Sequence, residues 1–592
     1  MQAYEKIVAI NDEWAQIGME RQVLEPGSRF YGGIRDPLTG VAWPSHVSGA
    51  PTYIATWATA LLCKDSRYYR DEQLAERLAL AASFQLRSQH RDGTISPGFT
   101  NMHSPPDTAF VISGLAQIYE LLTASDWEPL EAAAGTIRQF LERTVPAMLT
   151  GGCHTPNHRW VLTAALGFLY RLTGDMALRQ RAGEWLAEGM DCTADGEWTE
   201  RSNGIYNSVS DLSLYYTAEQ FDMPELLDPV RRNLQMMTYM IHPDGEVVTD
   251  YSGRQDFGTA AQASTYFLIA SLMSREGATP EIAALAAHAG KALTLPGGLP
   301  NHTLTGVLRY PDLLQIQAAS APLPERYRIV FNADVPRARY LQDMKHAGHA
   351  GVIYHSRMHT EFGAAVARHR EGRTSATVMT ESQSFFSLRH GSARLLGVQV
   401  ATAFEPGFVK LQQLEVAEQG YRLSARETKG YYGPLGGDLL PETATTPCSP
   451  WYLLPHHLRE ITHEQEHRLQ VDLTEDGEGW LIRIRCDEPE LLMTQVSFLL
   501  SSEGELAGEH LVEQAPNRFM LTQGSVKLSA GDDWIAIDGG SQDHLAPSLR
   551  TVYPEQCRTV LVNLLTPYDH TFRITLSPAD PVLPATSPVQ AD

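Results

Sequence analysis

The stretch 157-NHRWVLTAALGFLYRLTG-174 decides the first half of the fold. Its apolar residues recur at i, i+3, i+4 and i+7, the period of a helix with one buried face. The same period runs through 52-TYIATWATALLCK-64, 72-EQLAERLALAASFQLRSQ-89, 107-DTAFVISGLAQIYELLTA-124 and 130-LEAAAGTIRQFLERTVPAML-149. It continues in 176-MALRQRAGEWLAEGM-190, 224-PELLDPVRRNLQMMTYMI-241 and 259-TAAQASTYFLIASLMS-274. The helices come in pairs spaced by about 50 residues, and roughly ten to twelve fit before residue 300, as helical hairpins in a ring or solenoid would require. Loops rich in Gly and Pro separate them, such as 91-RDGTISPGFTNMHSPP-106.

Beyond about residue 300 the period changes to two. Stretches such as 468-RLQVDLTE-475, 479-GWLIRIRCD-487, 492-LMTQVSFLLSS-502 and 558-RTVLVNLLTP-567 alternate apolar and polar residues and end in turn residues. Many strands with no helices between them predict an antiparallel sandwich. The expected organisation is an (α/α) toroid over 1–305, a linker over 306–325, an antiparallel β-sandwich over 326–580 and a loose tail over 581–592.

At 592 residues the chain is too long for one ordinary core, which agrees with two large domains. Hydrophobic residues make up 43% and charged residues 20%, the balance of a globular protein. The formal net charge of −23 repels nucleic acid and anionic lipid, so neither is an expected partner. No run of about 18 apolar residues is present to cross a membrane. The amphipathic opening MQAYEKIVAINDEWAQIGMERQ lacks the apolar core of a signal peptide, and a cytoplasmic location is expected. Six scattered cysteines without a CxxC read as free thiols. No P-loop, dinucleotide fingerprint or nucleophile elbow occurs, and no cofactor is expected. The histidines of 456-HHLREITHEQEH-467 fall at i, i+4, but the segment is highly charged and reads as a solvated face, so no metal is expected.

Several loop-to-helix junctions carry chemistry-bearing side chains. In 155-TPNHRW-160, Thr155 is placed to cap a helix and Pro156 to open it. Asn157 and His158 then lie in the first turn, where a helix favours anions, with Arg159 adding charge and Trp160 an aromatic face. In 197-EWTERSNGIYNSVSDLSLYYTAE-219, Glu200 and Arg201 sit on a loop, Gly204 breaks the chain, and Tyr206-Asn207 precede a helix. On that helix Asp211 and Tyr215 share a face; Tyr215 and Tyr216 are candidates for core, whereas Tyr206 belongs to no apolar stripe. The loop 244-DGEVVTDYSGRQDFG-258 carries Asp250, Arg254 and Asp256. Asn101, His103 and Asp107 surround a Pro-Pro turn, with Asp107 a candidate N-cap. Tyr31, Arg35, Trp43 and His46 supply the mixture of stacking and polar groups that sugars need.

The two-domain outline and these patches resemble the heparinase II/III-like and alginate-lyase-like polysaccharide lyases. The resemblance rests on Asn157-His158 opening one helix, on 200-ERSNGIY-206 about 50 residues later, and on the loop from Asp244-Gly245 through Asp256. Ile205 is an extra residue before Tyr206, and Asn207 stands where a histidine is common in that group.

The resemblance implies β-elimination on a uronic-acid-containing oligo- or polysaccharide, with Tyr206, His158 and Asn157 catalytic. Arg159, Trp160, Arg201, Asn207, Arg254, Trp43 and His103 would bind substrate. A base would remove the weakly acidic C5 proton, an acid would protonate the leaving oxygen, and an amide and a cation would neutralise the carboxylate. Two other readings stay open. A toroid glycoside hydrolase would need a carboxyl pair drawn from Asp107, Glu200, Asp211 and Asp256. A non-catalytic carbohydrate-binding protein would need none of these. An acidic oligosaccharide is the expected partner, and a homo-oligomer is compatible with the sequence.

Overall fold

The computed structural model describes residues 2–98, 100–277, 279–315, 322–344, 358–440, 451–549 and 557–578. The chain divides into two compact units, 1–327 with 334–363, and 328–333 with 364–592.

The first unit is the α/α toroid. Among the described residues, twelve α-helices run from Gln2–Arg21 to Thr303–Arg309, with one more at Arg337–Met344. The helices Ala50–Leu62, Pro105–Thr123, Pro156–Thr173 and Tyr206–Phe221 each neighbour the next. They form the inner layer, and the outer helices Glu72–Arg87, Glu131–Thr150, Met176–Leu186 and Leu227–Met237 pack behind them. Composition explains the layering. All of 50–61 in APTYIATWATALL is buried, as a helix apolar all round demands. EQLAERLALAASFQLR instead buries a stripe, Leu74, Ala75, Leu78, Ala81, Ala82, Phe84 and Gln85. The inner helices open with a proline at the first or second position, which requires no amide donor there; Tyr206–Phe221 is the exception. Gly167 allows Pro156–Thr173 and Tyr206–Phe221 to approach closely, because a Cβ there would fall 2.7 Å from Gln220 Cβ.

The segment 334–363 belongs to the helical unit, although the alternating pattern had extended the strand region back to 326. Buried charge is the reason. Arg201 Nη1 donates to the Glu361 carbonyl, and Glu197 accepts from the Gly363 N–H. These two fully buried side chains need partners, and the backbone of 361–363 supplies them. His359, on the same segment, is buried, while His355 lies outside the described residues.

Among the described residues, the second unit holds a nine-stranded and an eight-stranded sheet. Their inner faces share one apolar core that includes Phe386, Val398, Trp480, Ile482, Phe498 and Phe572. Most of the pairing among the described residues is antiparallel, whereas Arg518–Leu521 runs parallel to Cys557–Leu565. The run 375–390 forms two strands, Thr374–Met379 and Phe386–His390. His463 and His467 lie on the strand Ile461–Glu475 rather than on a helix, and His467 is buried against Phe404. No helix among the described residues is long and apolar enough to cross a membrane.

Candidate active site

The first turns of the inner helices and the loops before them enclose a cavity of about 560 Å³ in the helical unit. Its polar lining includes His46, Asn101, Asp107, His158, Tyr206 and Gln255. Phe110, Leu212, Leu299 and Pro300 give it apolar walls. Among its described lining residues there is no lysine or arginine.

Each side chain is held by a local cause. Thr155 caps the helix Pro156–Thr173 by backbone geometry alone. The first-turn N–H of Asn157 faces Glu200 Oε1 at 3.4 Å. Asn157 Nδ2 donates to both Glu200 oxygens at 2.9 Å, while its Oδ1 is buried without a hydrogen-bond partner. A carboxylate from another loop therefore satisfies this helix start, where the dipole favours negative charge. Arg254 Nη1 lies 3.3 Å from Glu200 Oε2, and its guanidinium sits 4.4 Å from the centre of the Tyr206 ring. Gln255 Nε2 donates to Tyr206 Oη.

The loop before Tyr206 is fixed by Asp256, which accepts from Ser202 Oγ at 2.9 Å and from the Gly204 N–H at 2.9 Å. A Cβ at Gly204 would sit 3.0 Å from Asp256 Oδ2, so the carboxylate would have to shift to admit one.

Burial pushes the His158 imidazole down to about 3, with neighbouring His154, Arg254 and His46 adding to the shift. His158 Nδ1 is buried without a partner. His46 stacks on Phe110 with ring centres 4.2 Å apart, and Phe110 meets His158 edge-on. Burial holds His46 down at about 4, although Asp107, with Oδ1 3.9 Å from His46 Nδ1, opposes the shift. Both rings are neutral at pH 7. Burial also raises the Glu200 carboxyl above its usual range, against the pull of Arg254 and Asn157.

The sequence-predicted residues separate clearly. His158, Tyr206 and Asp107 line one cavity. Asn157 and Arg254 reach it through Glu200 and Tyr206. His46 and Asn101 line it as well, and the remaining candidates do not. Trp160 is fully buried and donates to Asp191. Arg159 pairs with Asp191 at 3.0 Å and stacks on Trp160. Arg201 is enclosed by Glu197, the Glu361 carbonyl and the Tyr251 ring. Asn207 is buried against Asn203 Oδ1. Asp211 accepts from the Trp198 indole, and burial raises its carboxyl well above the usual range.

Trp43 donates to Thr39, and His103 is exposed, stacked on His90 and 2.7 Å from Asp92. Asp107 is not the cap of its helix. Ser104 is, and Asp107 stands three residues inside, accepting from Ser104 Oγ at 2.5 Å and from Asn101 at 3.0 Å. Sequence reading passed over Gln255, although it adjoins Arg254 in the same loop. It gave no signal for Asn301 or Leu299, which follow a glycine turn far along the chain.

No protein-family model matches the sequence. No curated protein matches it either. Solved structures do. The chondroitin AC lyase of Streptomyces coelicolor A3, solved with chondroitin sulphate, aligns over 97% of this chain and 80% of its own, at 12% identity and a TM-score of 0.53. A Paenibacillus xanthan lyase aligns over 96% of this chain at 10% identity and a TM-score of 0.51, and this chain spans 55% of its length. The fold is that of the polysaccharide lyases. Heparinase III also aligns, over 88% of this chain and 75% of its own, at 12% identity and a TM-score of 0.49. The fold shared with the chondroitin AC lyase and the xanthan lyase is a helical toroid with a β-sandwich.

Proposed function

We propose that the protein cleaves a uronic-acid-containing saccharide by β-elimination, with the uronate in the cavity of the helical unit. One observation carries the reading. A neutral imidazole, His158, and a phenol, Tyr206, line the same cavity, whereas Asp107 is the only one of the four candidate carboxylates that does. Hydrolysis requires two carboxyl groups flanking the scissile bond. Glu200 and Asp211 are committed to Asn157 with Arg254 and to Trp198, and Asp256 holds the loop.

In this mechanism neutral His158 takes the C5 proton. The electron pair left at C5 forms the C4–C5 double bond as the C4–O bond breaks, and Tyr206 gives its phenolic proton to the leaving oxygen. Gln255 donates to Tyr206 Oη, which leaves the phenol's own proton for that step. The Arg254 guanidinium beside the ring steadies the phenolate that forms. The amides of Asn101, Gln255 and Asn301 line the cavity and are the donors for the uronate carboxylate. Asn157 acts one step back, holding Glu200 and through it Arg254.

The test is incubation with uronate-containing oligosaccharides while following the ultraviolet absorbance of the conjugated C4–C5 double bond. Growth of that signal, lost in Tyr206→Phe, supports elimination. Release of saturated sugar without the signal overturns it in favour of hydrolysis.

A further inference from the structure

The cavity of the helical unit takes its charge from one side chain. Among its described lining residues Asp107 is the only carboxylate, and no lysine or arginine balances it. Asp107 Oδ2 accepts from Ser104 Oγ and from Asn101 Nδ2. Its Oδ1 faces His46 Nδ1 at 3.9 Å, too far for a hydrogen bond. Burial keeps that imidazole neutral at pH 7, so it brings no counter-charge.

The arginines of the surrounding loops are engaged elsewhere. Arg254 faces Glu200 and the Tyr206 ring, Arg159 pairs with Asp191, and Arg201 is enclosed with Glu197. Phe110, Leu212, Leu299 and Pro300 make the rest of the wall apolar.

Such a lining suits a neutral group better than an anion. A carboxylate entering it loses water to apolar walls and meets a like charge, which costs free energy unless a cation compensates. Elimination sharpens the contrast. Removing the C5 proton of a free uronate puts a second negative charge on a group that already carries one. An ester develops a single enolate charge, which the amides of Asn101, Gln255 and Asn301 can meet with N–H donors. The base agrees with this. Burial pushes the His158 imidazole down to about 3, and so weak a base is matched to the more acidic C–H of an ester.

We propose that the uronate enters this cavity as its alkyl ester, the carbonyl towards the amides and the alkyl group against the apolar walls, an assignment that rests on elimination occurring here. His158 takes the C5 proton. The C5 electron pair forms the C4–C5 double bond as the C4–O bond breaks, and Tyr206 protonates the leaving oxygen. The ester bond stays intact, and proton exchange with water resets both side chains.

Matched uronate oligosaccharides, each as free acid and as methyl ester, test this with the full chain. The absorbance of the new double bond should give a kcat/KM at least about 100-fold higher for the ester, and the product mass should retain the methyl group. Val47 lines the cavity and is 63% exposed, so Val47→Lys adds a cation without burying one. It should lower the ester-to-acid ratio by about 10-fold, and Asp107→Asn should lower it too. A free acid that reacts as fast as its ester overturns the inference and leaves elimination standing. So does an unchanged ratio in both variants, or methanol released ahead of the double bond. If neither form yields a double bond, the elimination reading falls, and calorimetric binding decides the ester preference. Tighter binding of the ester upholds it; equal or tighter binding of the acid, or no binding of either, overturns it.

Discussion

Asn157 Nδ2 lies 2.9 Å from both carboxylate oxygens of Glu200, which in turn faces Arg254 at 3.3 Å. This contact joins the helix carrying His158 to the loop leading to Tyr206. Glu200→Gln keeps the shape but removes the charge that holds Arg254. It is expected to cost about 1–3 kcal/mol, the cost of leaving a buried polar group unsatisfied, read from urea unfolding. Turnover falls while some elimination persists. Complete loss of activity with an unchanged unfolding curve would instead make Glu200 a direct participant.

Tyr206→Phe removes one hydroxyl from a half-buried ring and breaks the hydrogen bond from Gln255. Stability should change little. The kcat should fall by about 10²–10⁴-fold with KM within a few-fold, the signature of a lost general acid.

The buried imidazoles set a pH dependence with a definite sign. His158 and His46 titrate at about 3 and about 4 in the folded chain, against roughly 6.5 unfolded. Above about pH 6.5 both states are neutral there and nothing is lost. As the pH falls towards 4, the unfolded chain binds protons that the folded chain refuses. Each ring then removes about 1.4 kcal/mol of stability per pH unit. His158→Gln should flatten this acid limb, as denaturant midpoints between pH 7 and 4.5 would record. For the same reason kcat/KM should hold steady from pH 7 to about 5, where an unshifted histidine base would already be protonated.

The cavity's charge predicts substrate choice. Its described lining offers neutral imidazoles, amides and the Asp107 carboxylate, with no lysine or arginine. A sulfate group entering it meets apolar walls and a like charge. An unsulfated uronate oligosaccharide is therefore expected to react with kcat/KM at least about 10-fold above its sulfated counterpart, equivalent to roughly 1.4 kcal/mol. Competition between the two in one reaction, resolved by mass, gives the ratio.

Much of the fold was legible because the apolar period changes from helical to alternating near residue 300, and burial follows period. The site was legible where backbone chemistry fixes position. Pro156 places Asn157 and His158 at a helix start, and the break at Gly204 sets Tyr206 at the next one. Side-chain fate was not legible where the partner is remote. Arg201 looks like a substrate cation until the Glu361 carbonyl, 160 residues on, covers it. Trp160 looks like a stacking face until Asp191 takes its indole N–H. Ser104 and Asp107 are both capping residues, and the prolines at 105 and 106 settle the helix start in favour of Ser104.

Gly167 connects the packing of the inner layer to the chemistry. It lies midway along the helix that begins with Asn157 and His158, facing Gln220 of the helix that begins with Tyr206. A Cβ at this position falls 2.7 Å from Gln220 Cβ, too close for either helix to keep its place. Gly167→Ala should therefore cost about 1–3 kcal/mol by overpacking, despite alanine's better helix propensity. The displacement moves the two helix starts apart, so activity should fall together with stability. Gln220→Gly in the same chain removes the Cβ that the new methyl meets and should recover part of both, less the roughly 1 kcal/mol that glycine costs inside a helix. A double-mutant cycle on the unfolding midpoint measures that coupling, expected at about 0.5–3 kcal/mol. Strict additivity would mean that the two helices do not meet at this pair.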